Sequence, residues 1–286
     1  MSGHTPGATV FGVGVHSGLP CSAVLTAGAP SAGVRFRRIV EDGESPHFTA
    51  SPDLVRSTTM ATRVGTDAFS VGTVEHLLAA CFALEMWDLD VTVPDTYELP
   101  FGDGTATPWV PGLGRLLEEG RDPHSPVTPW APLRRAPWVV REPIEVREGD
   151  RVARLEPDTE CRVTCTLSDR GGLGAAGPLT VSLTITEDTF RRELMWARTF
   201  VHEADAERLK AAGYGKGATL ENTLLIGEDG PVNEARGPSE PVRHKIVDAL
   251  GDLALVGRGF RGHLVLQDSG HSLHVALAQE AARRLG

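Results

Sequence analysis

Residues 121–137 read RDPHSPVTPWAPLRRAP and hold five of the chain's 20 prolines. Proline fixes φ and offers no N–H, so neither a helix nor a central strand can run through this stretch. It predicts a boundary, with one unit over residues 1–128 and a second over 129–286. The length of 286 residues agrees with two units, since domains usually run about 100–200 residues.

Each side of this stretch shows the same succession. On the N-terminal side, ATVFGVGVHSGLPCSAVLTAG and GVRFRRIV alternate as strands do, with glycine and proline turns between them. TVEHLLAACFALE then predicts a helix over about 73–85, with Thr73 as N-cap and apolar residues at helical spacing. LDVTVP reads as a short buried strand and PWVPGLGRLLEEG as a short helix. On the C-terminal side, WVVREPIEV, RVARLEP, CRVTCTLSD and LTVSLTIT read as strands, followed by helices near 203–212, 241–257 and 273–285. Strands followed by helices in each half predict an α+β fold of two similar sandwich lobes, not a doubly wound parallel sheet. No sequence repeat is evident.

Composition narrows the function. With 41% hydrophobic and 23% charged residues, the chain can build a core without disulfide or metal staples. A metal, if present, serves chemistry. The net charge of −10 repels polyanions such as nucleic acid or an acidic membrane, while leaving local cations free to hold a phosphorylated small molecule. Cys21, Cys81, Cys161 and Cys165 lack zinc-knuckle spacing, and Cys161 and Cys165 would share one face of a strand. With no signal-peptide pattern and no apolar run near the 18 or so residues of a membrane span, the expectation is a cytoplasmic monomer with reduced thiols.

Chemistry concentrates in VRHKIVDALGDLAL, residues 242–255, where His244, Asp248 and Asp252 recur every fourth position and so form one polar stripe on an otherwise apolar helix. Alone, the stripe also fits a partly solvated helix with a local His–Asp pair. Glu75 and His76 interrupt the apolar run of TVEHLLAA; a helix-start glutamate and a satisfied core histidine would explain them equally. Together, His76, His244 and Asp248 give two imidazoles and one carboxylate, the ligand count of a catalytic zinc. Such a site needs a general base, for which Glu75 is placed, and an acid for the leaving group, for which His271 in SGHSL is a candidate with Asp252 as its partner. An oxyanion donor is also needed, and Thr199 in WARTF carries a hydroxyl.

GVGVHSG, TVEHLLAA, LPFGDGTATPWV, ARTF, RHKIVDALGDL and SGHSL, in this order from residue 12 to residue 274, resemble the motif series of the UDP-3-O-acyl-N-acetylglucosamine deacetylases, the zinc amidases of lipid A synthesis. The resemblance implies Zn2+ held by His76, His244 and Asp248. It implies Glu75 as base, His271 as acid with Asp252 orienting it, and Thr199 as the hydroxyl that polarises the amide carbonyl. It further implies that Phe200 packs near the nucleotide, that Lys245 lies close to the sugar and phosphates, and that Arg141 in VVREPIEV stands in for a lysine. The fold it implies is two facing lobes with the active site at their junction.

Two departures bear on the substrate. The family often reads GHxLN, whereas this chain has SGHSLH, with His274 in place of asparagine; and SDRGGLGAAGPLTVSLT replaces a His-Pro turn in the insert that helps form the acyl passage. A second reading is therefore an N-deacetylase of an unacylated amino-sugar nucleotide or nucleoside, and a third is a non-catalytic sugar-nucleotide binder. GVGVHSG is not a dinucleotide loop, since Ser17 takes the third glycine's place and no βαβ pattern follows. His16 is either a pocket residue or an ordinary strand-end histidine, and Asp103 in FGDGTA reads as a turn aspartate.

Overall fold

The computed structural model describes residues 7–40, 45–94, 97–121, 135–168 and 179–285. The first lobe contains strands β1 (Gly7–Val13), β2 (Pro20–Ala27), β3 (Val34–Arg38), β4 (His47–Thr49), β5 (Val55–Ser57), β6 (Arg63–Gly65), β7 (Ser70–Val71) and β8 (Leu89–Val93), with helices α1 (Glu75–Ala83) and α2 (Val110–Arg121). Its main sheet has the order β1-β2-β8-β3-β4, and β5, β6 and β7 form a small separate sheet. The alternation read from the sequence sets which face is buried. Ala8 and Val10, Ala23 and Leu25, and Leu89 and Val91 all turn inward, while Phe11 and Val13 of β1 stay exposed.

The second lobe contains β9 (Trp138–Val139), β10 (Ile144–Glu148), β11 (Arg151–Glu156), β12 (Cys161–Leu167), β13 (Leu179–Thr184), β14 (Phe200–His202), β15 (Leu224–Gly227), β16 (Gly230–Pro231) and β17 (Phe260–Gln267). Its helices are the single turn α3 (Glu187–Thr189), which continues as a π-helix over Phe190–Leu194, then α4 (Glu203–Ala211), α5 (Glu240–Ala254) and α6 (His271–Leu285). The main sheet runs β10-β11-β17-β12-β13, with β9 pairing β17, and β14-β15-β16 form a small sheet.

The two main sheets share one topology. In each, a hairpin (β1–β2 or β10–β11) pairs antiparallel with the lobe's last strand (β8 or β17), which lies parallel to the third (β3 or β12). A helix precedes that last strand and another follows it, so α1 corresponds to α5 and α2 to α6. The expectation of two similar α+β lobes is met, although no repeat is visible in the residues.

The corresponding helices α1 and α5 pack on each other between the sheets. All nine residues of α1 are buried, Glu75 and His76 included. Gly251 permits the close approach: a Cβ there would lie 2.0 Å from the Glu75 carbonyl oxygen, so only glycine fits. Buried side chains from both lobes join in one continuous core. Cys165 is buried within it, and Cys161 packs partly buried on the same face of β12.

Some expectations are corrected or fall elsewhere. Thr73 is not a helix N-cap. It adopts a left-handed φ of 58°, and its hydroxyl donates to Glu98 Oε1 at 3.1 Å instead of accepting from an N–H at the start of α1. The expected boundary near 128/129 and the Gly-rich replacement at 169–178 lie outside the described residues; residues 179–184 form β13. The GVGVHSG segment leads into an antiparallel hairpin, not a βαβ crossover. Among the described residues no helix is long and apolar enough to cross a membrane.

Candidate active site at the junction of the lobes

The stripe on α5 meets the start of α1 in the seam between the lobes. His76 from α1 and His244 and Asp248 from α5, one turn apart, bring one ligand atom each to within 4.8 Å of one another. His244 Nε2 lies 3.2 Å and His76 Nε2 3.9 Å from Asp248 Oδ1, and the two imidazoles meet edge to face at 5.1 Å. His244 Nδ1 donates to the Ala197 carbonyl at 3.0 Å, which fixes the tautomer and leaves the Nε2 lone pair facing Asp248 and His76. Burial, and then the neighbouring His244, push the His76 pKa down to about 3, so its imidazole is neutral and able to ligate. Burial alone would favour a protonated Asp248, but His244, Lys245 and His271 more than offset it and hold the carboxyl well below its ordinary range. Two buried imidazoles and one ionised carboxylate, with one donor atom each converging, fit a divalent cation of the zinc type.

Two buried titratable side chains flank this group, Glu75 and His271. Glu75 is 3% exposed, and desolvation raises its pKa to about 7, with Asp248 and Asp252 adding to the shift against the pull of His271. One of its oxygens, Oε2, accepts from the Thr62 backbone N–H at 3.0 Å. Across the site, His271 opens α6, and its Nδ1 donates to Asp252 Oδ2 at 2.8 Å. Burial works against a charge on His271, but Asp252 and Asp248 outweigh it and raise the pKa to about 9. Its Nε2 lies 4.0 Å from Asp248 Oδ2, on the side of the ligand cluster. Asp252 itself is held below its usual range, because hydrogen bonding and charge from His271 and His274 exceed its desolvation.

His274, fully buried, donates from Nδ1 to the same Asp252 oxygen at 3.2 Å, while its Nε2 pairs with Ser269 Oγ at 2.9 Å. Burial lowers its pKa, so His274 sits as a neutral second donor to Asp252 behind His271.

Glu75, His76, His244, Asp248 and His271 line a cavity of about 320 Å³ whose walls also include Thr199, Phe200 and Lys245, while Asp252 and His274 lie behind it. Thr199 is fixed by its backbone: its N–H donates to Gly104 O at 3.0 Å in the first lobe, and its carbonyl accepts from Leu224 N at 2.8 Å. The preceding Arg198 is buried against Glu240 at the start of α5, with Nε to Oε1 at 2.9 Å. Lys245 Nζ lies 2.9 Å from Asp248 Oδ2 and 5.4 Å from the centre of the Phe200 ring. His16 also lines the cavity, edge-on to Tyr214 at 5.3 Å.

Comparison with known proteins places nearly the whole chain in one family. The family model described as UDP-3-O-acyl N-acetylglycosamine deacetylase matches residues 6–283. The chain belongs to that family. Similar curated proteins bearing the name UDP-3-O-acyl-N-acetylglucosamine deacetylase include one from Anaeromyxobacter sp. (strain Fw109-5), 38% identical over 94% of this chain and 84% of the relative. Another is from Myxococcus xanthus (strain DK1622), 33% identical over 96% of this chain and 83% of the relative. A third, from Bdellovibrio bacteriovorus, is 34% identical over 92% and 83%.

Within this deacetylase family frame, one anticipated site residue lies apart. Arg141 is exposed and is not among the residues lining either cavity at the site, whereas Arg151, at the start of β11, lines both. Arg151 is held by Nε donating to Asp268 O at 2.9 Å and by Nη1 to Glu148 at 2.8 Å. The EGDR turn that positions it gave no sign of function among 28 lysines and arginines. Asp103 links its turn to the second lobe through Arg236 at 2.8 Å and to Thr105 at 2.6 Å, a structural part. Thr62 and Glu98 went unnoticed in the sequence. Glu98 accepts from the backbone N–H groups of His16 and Ser17, both at 2.9 Å, and so fixes the cavity rim.

Proposed function

We propose that this chain hydrolyses the acetamide of an N-acetylglucosamine-type sugar nucleotide, with UDP-3-O-acyl-N-acetylglucosamine of lipid A synthesis as the substrate and zinc as the metal. The observation that carries the reading is the joining, at one end of a largely apolar cavity, of a three-ligand group with a base and an acid on either side. His76, His244 and Asp248 would hold the zinc, which when bound supplies Lewis acidity to the amide carbonyl and lowers the pKa of water.

The chain's own residues divide the remaining work. Glu75, with Oε2 taken by Thr62, accepts the proton of the attacking water on its other oxygen, and its raised pKa matches that task near neutrality. Charge that develops on the carbonyl oxygen meets the Thr199 hydroxyl. The C–N bond then breaks as His271 gives its Nε2 proton to the departing amine, while Asp252 keeps Nδ1–H in place. Lys245 and Phe200 contact the sugar nucleotide, and Arg151 supplies the second cation for its phosphates in the place expected of Arg141.

Val201, Ala206, Leu209, Tyr214 and Ala218 form an apolar wall of the cavity, which favours an acylated substrate over an unacylated one. The test is acetate release from UDP-N-acetylglucosamine with and without a 3-O-acyl chain, by zinc-loaded protein. A strong acyl requirement supports the proposal. Equal turnover of both would replace it with the unacylated reading, and tight binding without acetate release would leave a binder.

A further inference from the structure

Thr62 lies between the exposed Met60, whose φ is 63°, and strand β6, and is itself fully buried. It touches both halves of the catalytic pair. Its backbone N–H donates to Glu75 Oε2 at 3.0 Å, and its hydroxyl donates to Asp252 Oδ1 at 2.5 Å across the seam between the lobes. The same hydroxyl oxygen stands 3.3 Å from His271 Nδ1. Its carbonyl accepts from Val74 N at 3.4 Å, just ahead of α1.

We propose that Thr62 is a positioning residue that registers the first lobe's base against the second lobe's acid. The inference rests on the assignment of Glu75 as base and His271 as acid. Asp252 has two oxygens, and each has a separate duty. Oδ2 accepts from His271 and His274, whereas Oδ1 accepts from Thr62. With Oδ1 held from the opposite lobe, the carboxylate cannot rotate away from His271, and the imidazole keeps Nε2 toward the reacting centre. A charge-assisted bond in a dry site is among the stronger positioning contacts available. Thr62 is not among the residues lining the cavity, so the effect of its hydroxyl travels through the Asp252–His271 pair.

The experiment measures acetate release from 3-O-acylated UDP-N-acetylglucosamine by wild type, Thr62→Val, Thr62→Ser, His271→Ala and the double variant Thr62→Val/His271→Ala, with metal content determined for each. Valine keeps the shape and the N–H but loses the hydroxyl. Thr62→Val is expected to lower kcat about 10- to 100-fold with KM within about twofold of wild type and metal content unchanged. Thr62→Ser should restore kcat to within about fivefold. In the His271→Ala background, Thr62→Val should add less than about twofold, because the hydroxyl acts through that imidazole. A Thr62→Val enzyme within about threefold of wild type, a serine variant as slow as the valine one, or full additivity with His271→Ala each overturns the proposal. Should Thr62→Val not fold, Thr62→Cys, a weaker donor of similar size, is read against Thr62→Ser: equal kcat overturns, and a deficit confined to cysteine supports. Glu75→Gln or His271→Ala turning over like wild type would instead sink the acid–base assignment, a result separable from a silent Thr62→Val.

Discussion

Glu75 and His271 are shifted in the directions their tasks require, the carboxyl up to about 7 and the imidazole up to about 9. In the proposed mechanism Glu75 works ionised, so the rate rises with pH through its pKa, and His271 works protonated, so the rate falls as pH passes its own. A dication in the ligand group lowers both values, placing the limbs at or below these numbers. The pH profile of kcat/KM for wild type should therefore be a bell, and Glu75→Gln should lose the ascending limb along with about 10²- to 10⁴-fold of rate. A wild-type profile still climbing above pH 9 would contradict the acid. Two arginines give a second contrast. Arg151→Ala should raise KM with kcat little changed, whereas Arg141→Ala should alter neither, as steady-state kinetics at fixed ionic strength would show. Residue types and spacing made His76, His244, Asp248 and the acid–base candidates legible, because ligation and proton transfer need particular side chains. Thr62 and Arg151 were illegible, because a threonine or an arginine acquires a role only through what the fold sets beside it.

Helices α1 and α5 carry the ligands, and their contact fixes the distance between Glu75 and the α5 stripe. Gly251→Ala places a methyl group against the backbone of Glu75, where no side-chain rotation relieves the clash. The variant should lose about 1–3 kcal/mol of stability, read from a lower urea midpoint at unchanged slope. Its kcat should fall as well, since the base is carried away from the ligands. Helical spacing in the sequence located α1 and α5 to within a few residues, most clearly for α5, whose pattern over 242–254 is long enough to separate helix from strand. The start of α1 was misread because Thr73 has the composition of a cap while its left-handed backbone sends the hydroxyl to Glu98. That conformation depends on a partner 25 residues away, which local pattern cannot reveal.

At the scale of the molecule, two lobes of one topology share a continuous core. They should unfold together, as one calorimetric transition. Chelation should lower its midpoint without splitting it, by on the order of 10 °C if the metal is normally present about a thousandfold above its Kd. His244→Ala should unfold at a midpoint indifferent to chelator; a chelator effect of full size in that variant would place the metal elsewhere. The duplicated strand order was invisible in the residues, because a sheet's order is set by which faces can be covered and tolerates wide substitution along each strand. Alternation and helix placement in each half nevertheless foretold two matching layers.

The backbone contact at Gly251 also bears on traffic. A helix buried over its whole length is pressed to its partner without even a methyl group between them, and parting the lobes would expose much of the common core. The segment from β14 through α4 to β15 forms the other wall, and α4 has no buried residue. This outer wall, and not the seam, is therefore where the cavity is expected to admit a ligand.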